Sequence, residues 1–317
     1  KTGLERRNGK FSDLEDLLRQ EEERREGLQK SEQLKNKKKK LSAEVGNLKQ
    51  QGQDASKQMD EVKNLNVFIK ELDEKVEGLE TIIHEKLLGI PNLPDENIPD
   101  GIDESNNKFI RKWGSKPNLT GKIHNHVELG EKLGLIDLKR AAKISGARFA
   151  VYRGMGAALL RGLINFMVDV QTKENGYEEL YPPFLVNRDS LLGTGQLPKF
   201  EEELFAMRDD PLYLIPTAEV PVTNFHRDEI LEEESLPICY TAYTPCFRRE
   251  AGSYGKDTQG LIRQHQFDKV ELVKFSKADE SKQELEKLVQ NAESILKKLN
   301  LHYRVMELCV GDLGFSA

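Results

Sequence analysis

Within residues 243–271, YTPCFRREAGSYGKDTQGLIRQHQFDKVE, charged side chains of both signs recur at intervals suited to gripping a small ionic substrate. Arg248, Arg249 and Glu250 stand at the mouth of a loop carrying Gly252, Ser253, Gly255, Lys256, Asp257 and Gly260. Arg263, Gln264, His265, Phe267 and Glu271 follow it. The flanks alternate apolar and polar residues, so the stretch predicts two antiparallel strands joined by a long loop, the second running over 262–272 and carrying Arg263, Gln264, His265 and Glu271. Side chains on strands are aimed more closely than side chains on loops, so these guanidinium and carboxylate groups are directed at a target. A second candidate lies upstream, where a short strand over 213–215 leads through Pro216 into Thr217-Ala218-Glu219 and a helix. A threonine and a carboxylate two residues apart at a helix entry serve either as a cap with its first-turn acid or as ligands for an ammonium group.

Other candidates are weaker. The glycine-bearing stretch 193–200, GTGQLPKF, lacks the Gly-Lys-Ser/Thr ending of a phosphate-binding Walker loop and is rejected as one. His124 and His126 have no third ligand at metal spacing and read as surface or helix-start histidines. Cys239, Cys246 and Cys309 show neither metal nor disulfide spacing and read as reduced thiols of a cytosolic protein.

Two regions of different character must position these residues. With 317 residues the chain is comfortable as two domains, and a net charge of −6 excludes a global basic field for nucleic acid. No apolar run approaches the length of a membrane span. Residues 1–100 hold only two aromatics, Phe11 and Phe68, and a helical pattern runs over 12–50 until Gly52, with Asp54 or Ser56 available to cap the next helix. Val62, Ile69, Val76 and Ile83 then recur every seven residues beside Leu65, Leu72 and Leu79, a coiled-coil seam. Two such helices joined by a short turn run antiparallel and make an arm about 50 Å long. Gly89 and Pro91 end it. Lys35, Lys37, Lys38, Lys39 and Lys40 form either a solvated face or a contact for a phosphate backbone. Residues 91–118 read as a linker. A globular region follows, with helical spacing over 126–144, a strand-like run to Tyr152, an apolar helix over 157–173 and a strand ended by Pro182-Pro183.

TAE at 217–219, FRRE at 247–250, GSYGKDTQGLIRQHQF at 252–267, VE at 270–271, HVELGEKLGLIDLKRAAKISGARF at 126–149 and YPPFLVN at 181–187 together resemble bacterial-type seryl-tRNA synthetase over essentially the whole chain. The resemblance implies an α+β class II synthetase fold, an antiparallel sheet flanked by helices, with an N-terminal antiparallel coiled-coil hairpin. It implies a tRNA-binding arm over 1–100, a catalytic domain over 101–317, and a homodimer packed through the block ending at Pro182-Pro183. It further implies ATP with Mg2+, L-serine and tRNA(Ser) as reactants and partners in the cytoplasm. Arg248 matches the catalytic arginine that binds both ATP and serine; Arg249, Glu250, Gln264 and Phe267 match the ATP site. Thr217, Ala218, Glu219 and Glu271 match the serine pocket, and with the arm so identified Lys35 to Lys40 become tRNA phosphate contacts. The resemblance also places a third motif, with a further ATP-binding arginine, beyond Ala317. A noncatalytic coiled-coil or synthetase-paralogue interaction protein is the alternative reading, and a ligase loading another carrier fits the long arm poorly.

Overall fold

The computed structural model describes residues 2–7, 14–251 and 260–317. Ser12 and the loop residues Gly252, Ser253, Gly255, Lys256 and Asp257 lie outside the described residues. The chain divides into two compact units, Lys1–Asn107 with Leu308–Ala317, and Lys108–Glu307.

The first unit holds a short helix α1 (Thr2–Glu5) and two long ones, α2 (Leu14–Gln50) and α3 (Ser56–Leu88). Their cross-pairs, Lys86 with Asp16, Arg24 with Glu80, Lys35 with Asp73 and Lys37 with Glu61, run in opposite senses along the two helices, so the hairpin is antiparallel. On α3 the heptad positions Leu65, Ile69, Val76 and Ile83 are buried, each stabilising the seam by about 1.5–3 kcal/mol relative to exposure. The facing stripe of α2 is more polar than its leucines suggest. Leu18 and Leu28 are exposed, and the buried Ser31 hydroxyl donates to Asp73 Oδ1 at 2.6 Å. Asp54 closes the turn by accepting the Ser56 backbone N–H at 3.0 Å. Gly89 terminates α3 at a right-handed φ of −87°, so the stop comes from Pro91 rather than from a left-handed cap.

In the second unit, the segment expected to be a linker contains a strand, β1 (Lys108–Trp113), which pairs antiparallel with β7 (Tyr303–Glu307). Trp113 stacks on Tyr303 with ring centroids 6.1 Å apart, a partner nearly two hundred residues away that local composition does not announce. The helical stretch after His126 is two helices, α4 (His126–Lys132) and α5 (Leu138–Ser145). Gly134 turns the chain at φ 67°, and Asp137 starts α5 by accepting the Arg140 N–H at 2.9 Å. The strand-like run to Tyr152 forms only an isolated bridge with Ile136, and α6 (Met155–Lys173) follows.

The sheet that carries the candidate site has the order β2-β5-β6, from β2 (Glu178–Glu179), β5 (Ile238–Phe247) and β6 (Gln266–Phe275). β5 and β6 are antiparallel over ten residues each, while β2 is a two-residue parallel edge. β3 (Leu185–Asn187), α7 (Arg188–Gly193) and β4 (Leu212–Leu214) lead to α8 (Glu219–Thr223). Val186, Leu191, Leu197, Leu204, Ile215 and Val220 form one buried cluster; Ala218, Val222, Tyr240 and Ala242 form another that seats α8 on the sheet. The amphipathic α9 (Ser281–Lys298) precedes β7. Arg263, Gln264 and His265 precede β6 rather than belonging to it. The His265 N–H bonds to Arg148 O at 2.9 Å, an irregular contact that takes it out of the ladder.

Candidate active site

Register fixes the floor of the site. Cys246, Thr244 and Ala242 on β5 lie opposite Phe267, Lys269 and Glu271 on β6, and the alternation of a strand puts all six on one face. The β5 residues are small and fully buried, so the longer β6 side chains stand beside the α8 entry without a taller neighbour. The Thr217 hydroxyl, itself buried, donates to Glu271 Oε2 at 2.6 Å and accepts from the Glu219 N–H at 3.2 Å, so it is at once a first-turn ligand and a tie to the sheet. Ala218 is fully buried beneath it and offers the site only backbone.

Lys269, which the sequence analysis did not single out, also belongs to this cluster. Its Nζ lies 2.5 Å from Glu271 Oε2 and 2.7 Å from Thr217 Oγ1. The signal was available, since Phe267, Lys269 and Glu271 are spaced by two on one strand and must share a face. Glu219 opens to solvent at the mouth of this concavity, yet the protein packed around its base raises its pKa, first by desolvation and then by the Glu271 charge. Lys269 and Arg248 oppose the rise.

Arg248 is fixed by its backbone and by one nitrogen. Its N–H bonds to His265 O at 2.9 Å, and its own carbonyl lies 3.0 Å from His265 Nδ1. Nε donates to Pro216 O at 3.1 Å, and the guanidinium carbon sits 5.3 Å from the Phe267 ring centroid. Both Nη groups make no hydrogen bond among the described residues, so the outer edge of the planar fork faces the site unspent.

Two clefts meet at this arginine. One, of ≈ 470 Å³, is lined by Arg248, Glu250, Leu261, Ile262, Arg263, Gln264 and Phe267. The other, of ≈ 340 Å³, shares Arg248, Glu250 and Arg263 and adds Gln196, Phe200, Glu203, Leu204 and Pro216. Glu250 adopts a left-handed φ of 50°, sparsely populated for a non-glycine residue, and Arg263 Nη1 donates to its carboxylate at 2.9 Å. Gln264 is buried and interacts with the Tyr152 hydroxyl. Arg249 lines neither cleft; its N–H bonds to Glu203 O at 2.9 Å and its guanidinium carbon sits 5.9 Å from the Phe205 ring centroid. Gly260, at φ 72°, brings the chain back so closely that a Cβ there would lie 2.2 Å from His126 Nε2. Among the described residues no cluster of three or more His, Cys, Asp or Glu could hold a metal.

In the arm, Lys35 and Lys37 are engaged by Asp73 and Glu61 of the facing helix, Lys38 is half-buried, and Lys39 and Lys40 are exposed.

Comparison with known proteins finds relatives for both the paired-strand region and the antiparallel helical arm. Residues 1–94 match the seryl-tRNA synthetase N-terminal domain, and residues 199–317 match the tRNA synthetase class II core domain (G, H, P, S and T). The chain is 55% identical over 304 residues to a serine–tRNA ligase of Syntrophobacter fumaroxidans, covering 96% of this chain and 72% of that protein. The chain belongs to the seryl-tRNA synthetase family. A serine–tRNA ligase of Desulforapulum autotrophicum is 52% identical across 100% of this chain and 74% of its own length. Among solved structures, the family resemblance extends to the seryl-tRNA synthetase from Pyrococcus horikoshii complexed with ATP, at a TM-score of 0.90 and 34% identity, covering 99% of this chain and 75% of that one. The cytoplasmic serine–tRNA ligase of Naegleria fowleri in complex with AMP matches at a TM-score of 0.85 and 27% identity, over 99% of this chain and 72% of that one.

Proposed function

We propose that this protein is an ATP-dependent ligase that activates L-serine as seryl-adenylate and transfers the seryl group to the 3′ end of tRNA(Ser). The observation that carries the reading is Arg248, whose two unspent Nη groups face the junction of two clefts. In the first step a serine carboxylate oxygen bonds to the α-phosphorus of ATP, the bond to the β-phosphate oxygen breaks, and pyrophosphate leaves. Both reactants are anions and the attacking carboxylate is already ionised, so the protein has no proton to remove and acts by neutralising and aligning charge. A planar guanidinium binding both anions does this and stabilises the charge that builds at phosphorus.

In this reading Phe267 stacks on the adenine, Glu250 receives its amino group, and the backbone at Gln264 borders the base in the ≈ 470 Å³ cleft. Arg249, turned onto Phe205, supports the wall through Glu203 rather than meeting the nucleotide in this conformation. Glu219 and Glu271 receive the α-ammonium of serine from beside Thr217 and Ala218. A pocket built to bond the serine hydroxyl rejects alanine because its own polar groups would be stranded. Mg2+ belongs to the reading as a counter-ion of the nucleotide phosphates, which suits an ion that keeps most of its waters. In the second step the 3′-terminal ribose hydroxyl of the tRNA attacks the acyl carbon and AMP departs.

The arm over residues 1–100 is assigned to tRNA, with the exposed Lys39 and Lys40 meeting phosphate first and Lys35, Lys37 and Lys38 set behind them in the hairpin. Such an arm measures the shape and backbone of an RNA helix without reading an anticodon. The catalytic domain, 101–317, is assigned to a homodimer through the block ending at Pro182-Pro183. Support comes from the edge position of β2 and from the exposure of Met155, Leu159 and Tyr181. No described helix is long and apolar enough to cross a membrane, and the proposed site of action is the cytoplasm, where tRNA is charged. Serine-dependent exchange of labelled pyrophosphate into ATP tests the first step. Exchange with serine and none with alanine is the expected result, and no exchange with any amino acid would overturn the reading.

A further inference from the structure

The amino-acid subsite contains one cation that the reading above does not use. Lys269 rises from the same face of β6 as Phe267 and Glu271, and its Nζ reaches both Glu271 Oε2 and Thr217 Oγ1. Counting donors and acceptors shows what this does. A threonine hydroxyl has one proton to give and two lone pairs to fill. The Thr217 proton goes to Glu271 Oε2, and its lone pairs receive Lys269 Nζ and the Glu219 N–H. The hydroxyl is therefore fully committed and its orientation set. Glu271 Oε2 is likewise taken by Thr217 and Lys269, whereas Glu271 Oε1 and the Glu219 carboxylate accept no hydrogen bond among the described residues.

We propose that Lys269 is a positioning residue for the amino-acid subsite: by clamping Thr217 Oγ1 and Glu271 Oε2, it turns Glu271 Oε1 and Glu219 toward the place of the substrate ammonium and keeps the two carboxylates compatible. The inference rests on the assignment of this pocket to serine. Its charge balance follows from the groups facing it. Glu219 stands at the α8 entry, Lys269 and Glu271 on β6, Arg248 just beyond β5, and the neutral Cys246 thiol, its pKa raised by burial, on β5 beneath. Two carboxylates against two cations leave the empty pocket neutral. Without the lysine, the carboxylates face each other with Arg248 alone to offset them, and the cheapest relief is to protonate Glu219, which removes a ligand for the ammonium.

Calorimetric titration of serine, from about pH 5.5 to 8.5, tests this on the protein and on Lys269→Met and Lys269→Arg, with ATP titrated separately. Lys269→Met is expected to weaken serine binding about tenfold or more, the loss typical of a charge-assisted contact. It should leave ATP affinity unchanged and move the acid limb of serine binding to higher pH. Lys269→Arg, which keeps the charge, is expected to retain serine affinity within a few-fold and the original acid limb. Serine binding by Lys269→Met equal to that of the parent, with the acid limb unmoved, would overturn the proposal. So would an equal loss of serine and ATP affinity, which marks a merely structural lysine. Should Lys269→Met not fold, loss of serine binding in folded Lys269→Arg at all pH values would count equally against it. A parent protein that binds ATP but no serine would overturn the pocket assignment itself, and this proposal with it.

Discussion

Three separate parts of the chain hold Arg248: the His265 carbonyl grips its backbone, the Pro216 carbonyl takes Nε, and Phe267 supports the guanidinium plane. What remains is a two-pronged donor with no competing hydrogen-bond partner among the described residues. Arg248→Lys keeps the charge but has one point donor, and it should lower the rate of serine-dependent pyrophosphate exchange by about 10²–10³. Exchange at the parent rate would remove Arg248 from its bridging role. The carboxylates make a second claim at this scale. Glu219 must be ionised to hold an ammonium, and its pKa is raised by desolvation and by Glu271. The acid limb of kcat/KM for serine should therefore lie above the ordinary carboxylate range, and Glu219→Gln should remove it while raising KM for serine. The stability sign runs the other way. A carboxyl whose folded pKa is raised loses stability as pH rises past its unfolded value, so Glu219→Gln should raise Tm at neutral pH while it impairs binding. A lowered Tm would show that Glu219 supports the fold instead.

At the scale of elements, the sequence was most legible where a period was long. The α3 heptads and the strand alternation expected over 262–272 identify a hairpin arm and a two-stranded motif without any long-range information, the observed strand being Gln266–Phe275. The failures have physical causes. β1 hid within a proline-rich and acidic stretch because its partner β7 lies at the far end of the chain. The turn carrying Arg263, Gln264 and His265 looked like strand because its residues alternate, but its hydrogen bonds go to Arg148 and Arg248 instead of a ladder. Glu203, which holds the Arg249 and Ala251 amides, ends a single 3-10 turn, Glu201–Glu203, with no motif to mark it. The α3 seam yields a prediction that separates the two units. Ile69→Ala should lower the local stability of the arm by about 2–5 kcal/mol. Faster amide exchange confined to α2 and α3, with pyrophosphate exchange unchanged, would report it. Equal loss of pyrophosphate exchange would show that the arm supports the active site directly.

Across the whole molecule, the account assigns amino-acid activation to 101–317 and tRNA selection to the helical hairpin. The two tasks demand different physics. Activation needs a few groups held to fractions of an ångström, which the β5–β6 register and the α8 entry supply. Selection of a tRNA by shape, the task proposed for the arm, needs length and surface charge, and the two helices are 37 and 33 residues long. The family match covers both regions independently, residues 1–94 by one domain and 199–317 by another. The most direct test is to compare the protein with a version lacking residues 12–88 in two assays, serine-dependent pyrophosphate exchange and esterification of labelled serine to tRNA(Ser). The account predicts that the parent performs both and that the deletion abolishes esterification while leaving exchange largely intact. Equal loss of both activities, or esterification that survives the deletion, would contradict it.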